Sequence, residues 1–223
     1  MVLLGYAAAA LVAILFVYLV VAVAVALAVF RLSGSGTLLT PVAPADHPDL
    51  LAVAAGFDPW ADQRGFRWEG AYYLNLMGGT FVAAWAHESE PTYFCIYVTA
   101  SRRVTDLVTV LNEGAGLTTC DTRDAILWPL PPGNYKQAFS GKTADERWQL
   151  HREALDCLRD RLGLAVKSNS GSFQDAFAHG VTEGVRHVRS LPLWPLRWPW
   201  WYFVRRCRLC NKTVREQIES GLT

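Results

Sequence analysis

The sequence predicts an α+β protein: one N-terminal transmembrane helix followed by an antiparallel-sheet meander with helices packed on one face. Three features predict this fold class. A long uncharged apolar run opens the chain, short strand-like segments separated by turn residues fill its middle, and two segments with helical spacing follow. Strands do not alternate with helices, which argues against a doubly wound parallel sheet.

The apolar run extends from Val2 to Phe30 and contains no charged residue, Asn, Gln or Pro. As a helix it is about 43 Å long, enough to span a hydrocarbon core of about 30 Å with tilt. A cleaved signal peptide ending near Ala26-Leu27-Ala28 and a buried core helix are the alternatives. A signal peptide typically begins with basic residues and has a shorter apolar run, whereas this run is long and no Lys or Arg precedes it. We therefore predict a transmembrane anchor at residues 1–31, with the lipid bilayer as the partner of residues 2–30.

The charge next to this run predicts the orientation. Arg31 follows it directly, and only the amino terminus precedes it, which favours a cytoplasmic domain of a single-pass inner- or plasma-membrane protein. The odd number and irregular spacing of the cysteines do not resemble a disulfide framework and fit reduced thiols. They are Cys95, Cys120, Cys157, Cys207 and Cys210.

Composition divides the rest of the chain into three parts. Residues 32–48 hold a Gly/Ser stretch that includes Ser35-Gly36, followed by three prolines, and are predicted to be a linker. An α+β domain is predicted over residues 49–190. A Trp/Pro-rich arm and a basic C-terminal helix are predicted over residues 191–223.

The strands and helices of the domain follow from residue spacing. Apolar residues alternate from Phe66 to Leu76, and Gly78-Gly79 ends this first strand; four further runs lie at 81–86, 93–98, 104–111 and 117–120. Thr143 and Glu146 form a capping box that begins a helix, which Gly163 ends. A second helix is predicted over residues 173–188.

Six short segments of the domain and the chain's tail form a pattern: Gly56-Phe57, Leu117-Thr118-Thr119, Pro131-Pro132-Gly133, Leu150-His151-Arg152, Arg215-Glu216-Gln217 and Gly221-Leu222. This pattern resembles that of a group of uncharacterised bacterial single-pass membrane-anchored proteins. This chain departs from the group's pattern in having Cys120-Asp121, where Ser-Asn is more frequent. No activity is assigned to the group, so the resemblance implies architecture alone.

Three short motifs carry possible chemistry, each with a plainer structural interpretation. His87-Glu88 is an acid/base pair or a surface turn. Cys120 and His151 are a catalytic nucleophile and its base, or else His151 is a buried structural histidine, because it lies on the apolar stripe of its helix. Cys207 and Cys210 are half of a zinc site or two thiols, because no second pair with the right spacing completes four ligands.

The arm has the most unusual composition of the chain, with aromatic residues between prolines and basic residues after them. Such residues suit a membrane–water interface, or else they pack on the domain itself. The candidate interface residues are Trp194, Trp198, Trp200, Trp201, Arg205 and Arg206.

Taken together, these features predict a membrane-anchored binding or structural module without catalytic activity. The alternative is a membrane-anchored enzyme that uses Cys120, His151 or His87. No cofactor or metal is predicted. Nucleic acid is not an expected partner, because the net charge is only +1.

Overall fold

The computed structural model describes residues 2–34, 37–75, 79–99, 102–126, 128–167 and 171–222. Ser35, Gly36, Leu76 and Gly78, which belong to the predicted linker and the predicted first strand, lie outside these ranges. Within the described residues the fold is α+β, as predicted, and contains a seven-stranded mixed sheet.

The secondary structure begins with one long helix and ends with a series of shorter ones. The helices are α1 (Val2–Gly34), α2 (Pro48–Ala55), α3 (Asp58–Gln63), α4 (Ala144–Leu162), α5 (Phe173–Ser190), α6 (Trp194–Trp200) and α7 (Val214–Glu219). The strands are β1 (Leu39–Pro41), β2 (Phe66–Leu74), β3 (Thr80–His87), β4 (Thr92–Val98), β5 (Arg103–Val110), β6 (Gly116–Cys120) and β7 (Asn134–Ala138).

The strands lie in the sheet in the order in which they occur in the chain. From β1 to β6 each strand pairs antiparallel with the next, so the predicted meander is confirmed for six strands. β7 pairs in parallel with β6, with Gln137 opposite Thr119. The chain crosses back through residues 121–133 before it re-enters the sheet, because two parallel neighbours must begin at the same end.

The predicted linker is shorter than expected. α1 continues to Gly34, and residues 39–41, assigned to the linker, form the edge strand β1. Thr40 pairs with Tyr73 of β2, and the Leu39 side chain is buried. α1 is therefore connected to the sheet by residues 35–38 alone.

Helices cover both faces of the sheet, so the prediction of helices on one face is wrong. On one face, α2 and α3 pack around Trp85 and Phe94, and α4 and α7 pack around Leu117. On the other face, Phe173 of α5 packs against Tyr93. Successive residues of a strand point to opposite faces. The side chains of β3 are apolar on both faces of the sheet, so helices must bury both faces.

α4 begins and ends as the sequence predicts. The Thr143 hydroxyl accepts a hydrogen bond from the Glu146 N–H at 3.2 Å, and the Glu146 carboxylate accepts one from the Thr143 N–H at 2.8 Å. Gly163 follows the helix in a left-handed conformation (φ 68°), which favours glycine. The local signals place this helix, and its apolar stripe seats it on β6.

α1 has two halves with different surroundings. Its segment Ala9–Leu27 is long and apolar enough to cross a membrane. The apolar side chains from Leu11 to Val17 are largely exposed, whereas Ala22 and Val29 are buried. The rest of the chain therefore covers one side of the C-terminal half of the helix, while Val23, Leu27 and Phe30 on its other side stay exposed.

Candidate functional site

A three-residue turn, residues 191–193, joins α5 to α6. The turn is closed by Leu193, which lies in the left-handed region (φ 53°) where residues with a β-carbon are uncommon. Pro199 inside α6 cannot donate a helical hydrogen bond, and the chain continues as a π-helical turn over Trp201–Arg205. We call residues 191–205 the aromatic arm.

One side of the aromatic arm is buried inside the protein. Trp194 and Trp201 are only 5% and 7% exposed, and their rings meet edge to face at 6.1 Å between centroids. They belong to one apolar cluster with residues from α1, α5 and the sheet. Its other fully buried members are Val29, Cys120, Ile126, Ala138, Val185 and Val188.

The arm lies along the covered half of α1. The Tyr18 hydroxyl donates a hydrogen bond to the C=O of Leu196. Ala22, one turn further along α1, is 2% exposed although the adjacent Val23 is 52% exposed. The arm is thus packed against one side of α1 from Tyr18 towards the sheet.

The other side of the arm is apolar and exposed. Its uncovered side chains form a continuous series along the arm, and Leu193 at the turn is the most exposed at 71%. The exposed large apolar residues are Leu193, Leu196, Trp200, Phe203 and Val204. A patch of this kind marks a surface that meets a partner or a membrane.

The six residues predicted to contact a membrane interface therefore separate into different environments. Trp194 and Trp201 are buried, Trp198 is half-buried and stacked on Tyr202, and Trp200 is exposed. Arg205 is exposed, but Arg206 is buried, with its guanidinium 3.4 Å from the Tyr202 ring centroid and its Nε donating to the Tyr202 C=O. Arg206 is a packing residue.

A groove of about 670 Å³ lies between the arm, the segment 128–133 and α7. Four of its lining residues can carry positive charge: Lys136, His187, Arg197 and Arg205. The described lining residues include no Asp or Glu. Tryptophans 128, 194, 200 and 201 line the same groove.

Trp194 brings an unusual feature to this groove. Its indole N–H is buried and has no hydrogen-bond partner among the described residues. In the unfolded chain this N–H donates a hydrogen bond to water. In the folded protein it has no acceptor among the described residues, and burying an unpaired donor costs free energy.

His151 is a structural residue in the core. It is fully buried, and its two ring nitrogens lie 2.8 Å from the hydroxyl oxygens of Thr109 and Thr119. Gln137 extends this network by donating to the Thr119 hydroxyl and accepting from the Val214 N–H. Burial lowers the pKa of His151 to about 3, with the nearby charge of Arg152 as a smaller cause, so the ring is neutral at pH 7.

Cys120 and His151 do not form a catalytic pair. Thr119, which contacts His151, precedes Cys120 in β6, so the two side chains point to opposite faces of the sheet. Cys120 is packed among residues of α1, α5 and the arm. Burial also raises the pKa of its thiol well above the ordinary value. Because a thiolate is the reactive form, this cysteine is unsuited to nucleophilic chemistry.

The other two motifs give no site within the described residues. His87 accepts a hydrogen bond from the Ser89 N–H, and Glu88 pairs with Arg67, as in a surface turn. The thiols of Cys207 and Cys210 donate to the carbonyl oxygens of Phe203 and Arg206. No group of three or more His, Cys, Asp or Glu residues in the described ranges can hold a metal ion.

Comparison of the chain with protein-family models, with curated proteins and with solved structures finds no match. The site is therefore judged by its geometry. Sequence reasoning identified the arm but not the groove, because Trp128, Lys136 and His187 carry no motif and meet the arm only in the folded chain. The one usable signal was the excess of basic residues after residue 150, 12 against 7 acidic.

Asp106 is a second buried titratable group. It lies in β5 opposite Cys95 and Cys120, and its Oδ1 has no hydrogen-bond partner among the described residues. Burial raises its pKa to about 6, although the charge of Lys136 acts in the opposite direction. Asp106 is therefore mostly ionised at pH 7, but its ionisation is less favourable in the folded protein than in the unfolded chain.

The two buried groups predict opposite dependences of stability on pH. The folded-state pKa of His151 lies below its unfolded value of about 6.5, so stability is lost as the pH falls from about 6.5 towards 3. The folded-state pKa of Asp106 lies above its unfolded value of about 3.9, so stability is lost as the pH rises from about 4 to 6.

We expect Asp106→Asn to raise the free energy of unfolding at pH 7.5 by at most about 3 kcal/mol. The same variant should steepen the acid loss between pH 6 and 4 towards about 1.4 kcal/mol per pH unit.

Chemical denaturation of the full chain in neutral detergent, followed by tryptophan fluorescence, measures both effects. Asp156→Asn is the matched control, because Asp156 is exposed and pairs only with Arg159 at the surface. It should shift stability by less than about 1 kcal/mol at any pH. An unchanged pH slope in Asp106→Asn would contradict the assignment of opposing contributions to these two groups.

Proposed function

We propose that the protein is a single-pass membrane protein whose α+β domain rests against the cytoplasmic surface of the inner or plasma membrane and acts as a non-catalytic binding module. The observation that carries this proposal is the division of α1. Its residues 11–17 offer apolar side chains with no protein cover, whereas one side of its C-terminal half, with Ala22 and Val29, is buried against the domain. A cleaved signal peptide has no reason to pack into the fold, and a soluble core helix is covered along its length.

The length of α1 supports the same interpretation. Its apolar run exceeds the hydrocarbon thickness by about 13 Å, equivalent to about nine helical residues. The segment 22–30 has about this length, and α5 and the arm cover one side of it. The excess is therefore accounted for if α1 leaves the bilayer near Ala22 and the domain begins there.

The composition of the arm supports contact with the bilayer surface. Its hydrogen bond to Tyr18 holds Leu196 where the covered part of α1 begins, next to the exposed residues that end at Val17. The exposed Leu193 and Trp200 then face the lipid, and tryptophan is enriched at membrane–water interfaces. A domain attached in this way is held at a fixed position against the membrane.

Basic residues and cysteines favour the cytoplasmic side. Arg205, Arg208 and Arg215 are exposed beyond the arm, and basic clusters are attracted to the anionic cytoplasmic leaflet. None of the five cysteines forms a disulfide, as expected in a reducing compartment. The enzyme alternative has no such support, because Cys120 and His151 lie on opposite faces of the sheet and His87 is part of a turn.

Charges placed in the uncovered half of α1 test the anchor. Wild-type protein should stay in the membrane pellet after extraction with alkaline carbonate. Ile14→Arg combined with Val17→Arg should move most of it to the supernatant, since each arginine at the centre of a spanning helix costs about 2.5–3.5 kcal/mol. Leu51→Arg, at an exposed site on α2, controls for the added charge. Release of the wild-type protein by carbonate would contradict the proposal.

Labelling of Cys207, which is exposed, tests the sidedness. A membrane-impermeant maleimide should label it in inverted membrane vesicles and not in intact cells, with Cys207→Ser combined with Cys210→Ser as the blank, because Cys210 is partly exposed. Cys120 should stay unlabelled in both until denaturant is added, because its thiol is buried. The reverse sidedness would place the domain outside the cytoplasm. Rapid labelling of native Cys120 would instead favour the enzyme alternative.

A further inference from the structure

We infer that the groove between the aromatic arm, residues 128–133 and α7 binds the phosphate of an anionic phospholipid headgroup. This inference rests on the proposed function, because it takes the arm to lie at the bilayer surface. It assigns to that binding module a ligand class and a site. Four observations support it.

The first observation is the charge of the groove. Lys136, Arg197 and Arg205 line it, and none of the three forms an ion pair with a described residue. The Lys136 ammonium donates one hydrogen bond, to the C=O of Ala125 at 3.1 Å, and its charge also acts on buried Asp106, so Arg197 and Arg205 are the main cationic groups for an external anion. His187 adds a further nitrogen base. With no Asp or Glu among the described lining residues, the groove attracts an anion.

The second observation is the unpaired indole N–H of Trp194, which is 95% buried and lines the same groove. The buried indole N–H of Trp85, by contrast, donates to Asp58 at 3.1 Å. A phosphate oxygen supplies a strong acceptor for a donor of this kind. The Trp194 donor thus adds a specific hydrogen bond to the general attraction of the charges.

The third observation is the wall of the groove, which is aromatic and proline-rich. Trp128 lies over Gly184 of α5, where a β-carbon would stand 3.1 Å from its indole nitrogen. Only glycine leaves room for this ring at that position without movement of its neighbours. The flat apolar wall suits the glycerol and upper acyl carbons of a lipid better than a free, fully hydrated phosphate.

The fourth observation is continuity with the lipid-facing surface. Trp200 both lines the groove and is 49% exposed, and Leu193 and Leu196 lie beside it on the exposed side of the arm. A headgroup in the groove therefore leaves its acyl chains next to the apolar side of the arm, where they continue into the bilayer. This continuity selects a phospholipid over a soluble anion as the occupant.

Binding to the full chain in a neutral maltoside detergent tests the inference. Short-chain phosphatidylglycerol, phosphatidylcholine and inorganic phosphate are titrated separately, with isothermal calorimetry as the readout, at about 150 mM salt so that long-range attraction is screened. We expect phosphatidylglycerol to bind at least about tenfold more tightly than either of the other two. Combined Arg197→Gln and Arg205→Gln should weaken its binding by about tenfold or more.

The control is the pair Arg189→Gln and Arg208→Gln, which removes the same charge from exposed positions that do not line the groove. It should change the affinity by less than about twofold, since screened surface charges contribute little. Trp194→Phe keeps most of the ring and removes the N–H, and should weaken binding severalfold while the melting temperature shows whether the fold is kept.

Four outcomes would overturn the inference. Equal binding of phosphatidylcholine would show an apolar lipid site without headgroup selectivity. Equal binding of inorganic phosphate would make the free anion the ligand. Equal losses in the groove pair and the control pair would reduce the effect to surface charge. Folded Trp194→Phe with unchanged affinity would remove the indole from the site. The titration in detergent tests the lipid site, and carbonate extraction tests the membrane anchor. Either experiment can contradict its own proposal while the other result stands, so the two proposals fail separately.

Discussion

Trp194 and Trp201 fill the space in which α1, α5 and the sheet meet, and the position of the domain relative to the apolar helix depends on this contact. Buried tryptophans remove large apolar areas from water, and their truncation typically costs about 3–5 kcal/mol each. Through these rings the C-terminal half of α1 becomes part of the domain's own core. Residues 35–38 are too few to let the domain move far from the helix on their own.

The same contact determines which part of the arm is left uncovered. Because Trp194 and Trp201 face inward, Leu193, Trp200 and Phe203 face outward and form an apolar surface beside the uncovered half of α1. The sheet beneath is held on its far side by an unrelated polar network, in which His151 joins β5 and β6 to α4. His151 and Cys120, which the sequence suggests as catalytic residues, are thus buried packing residues. The candidate binding surface is the one next to α1.

Features encoded by neighbouring residues were predictable from the sequence, and features created by distant contacts were not. The apolar run of α1 and the capping box of Thr143 and Glu146 are local, and both are found. The parallel pairing of β7 and the position of α5 on the second face depend on residues far apart in the chain. Trp194 and Trp200 are the same residue type six positions apart, so contacts with α1, α5 and the sheet decide which is buried.

The central claim is that the exposed side of the arm lies in lipid beside α1, and the depth of a spin label at Leu193 tests it most directly. Leu193→Cys is prepared with Cys207→Ser and Cys210→Ser, labelled, and reconstituted in phospholipid bilayers. The account predicts that the label is relaxed more by lipid-soluble oxygen than by a water-soluble nickel chelate, and that Leu51→Cys, on the face of the sheet away from the arm, shows the opposite preference. A label at Leu193 that is as accessible to the nickel chelate as the one at Leu51 would contradict the account.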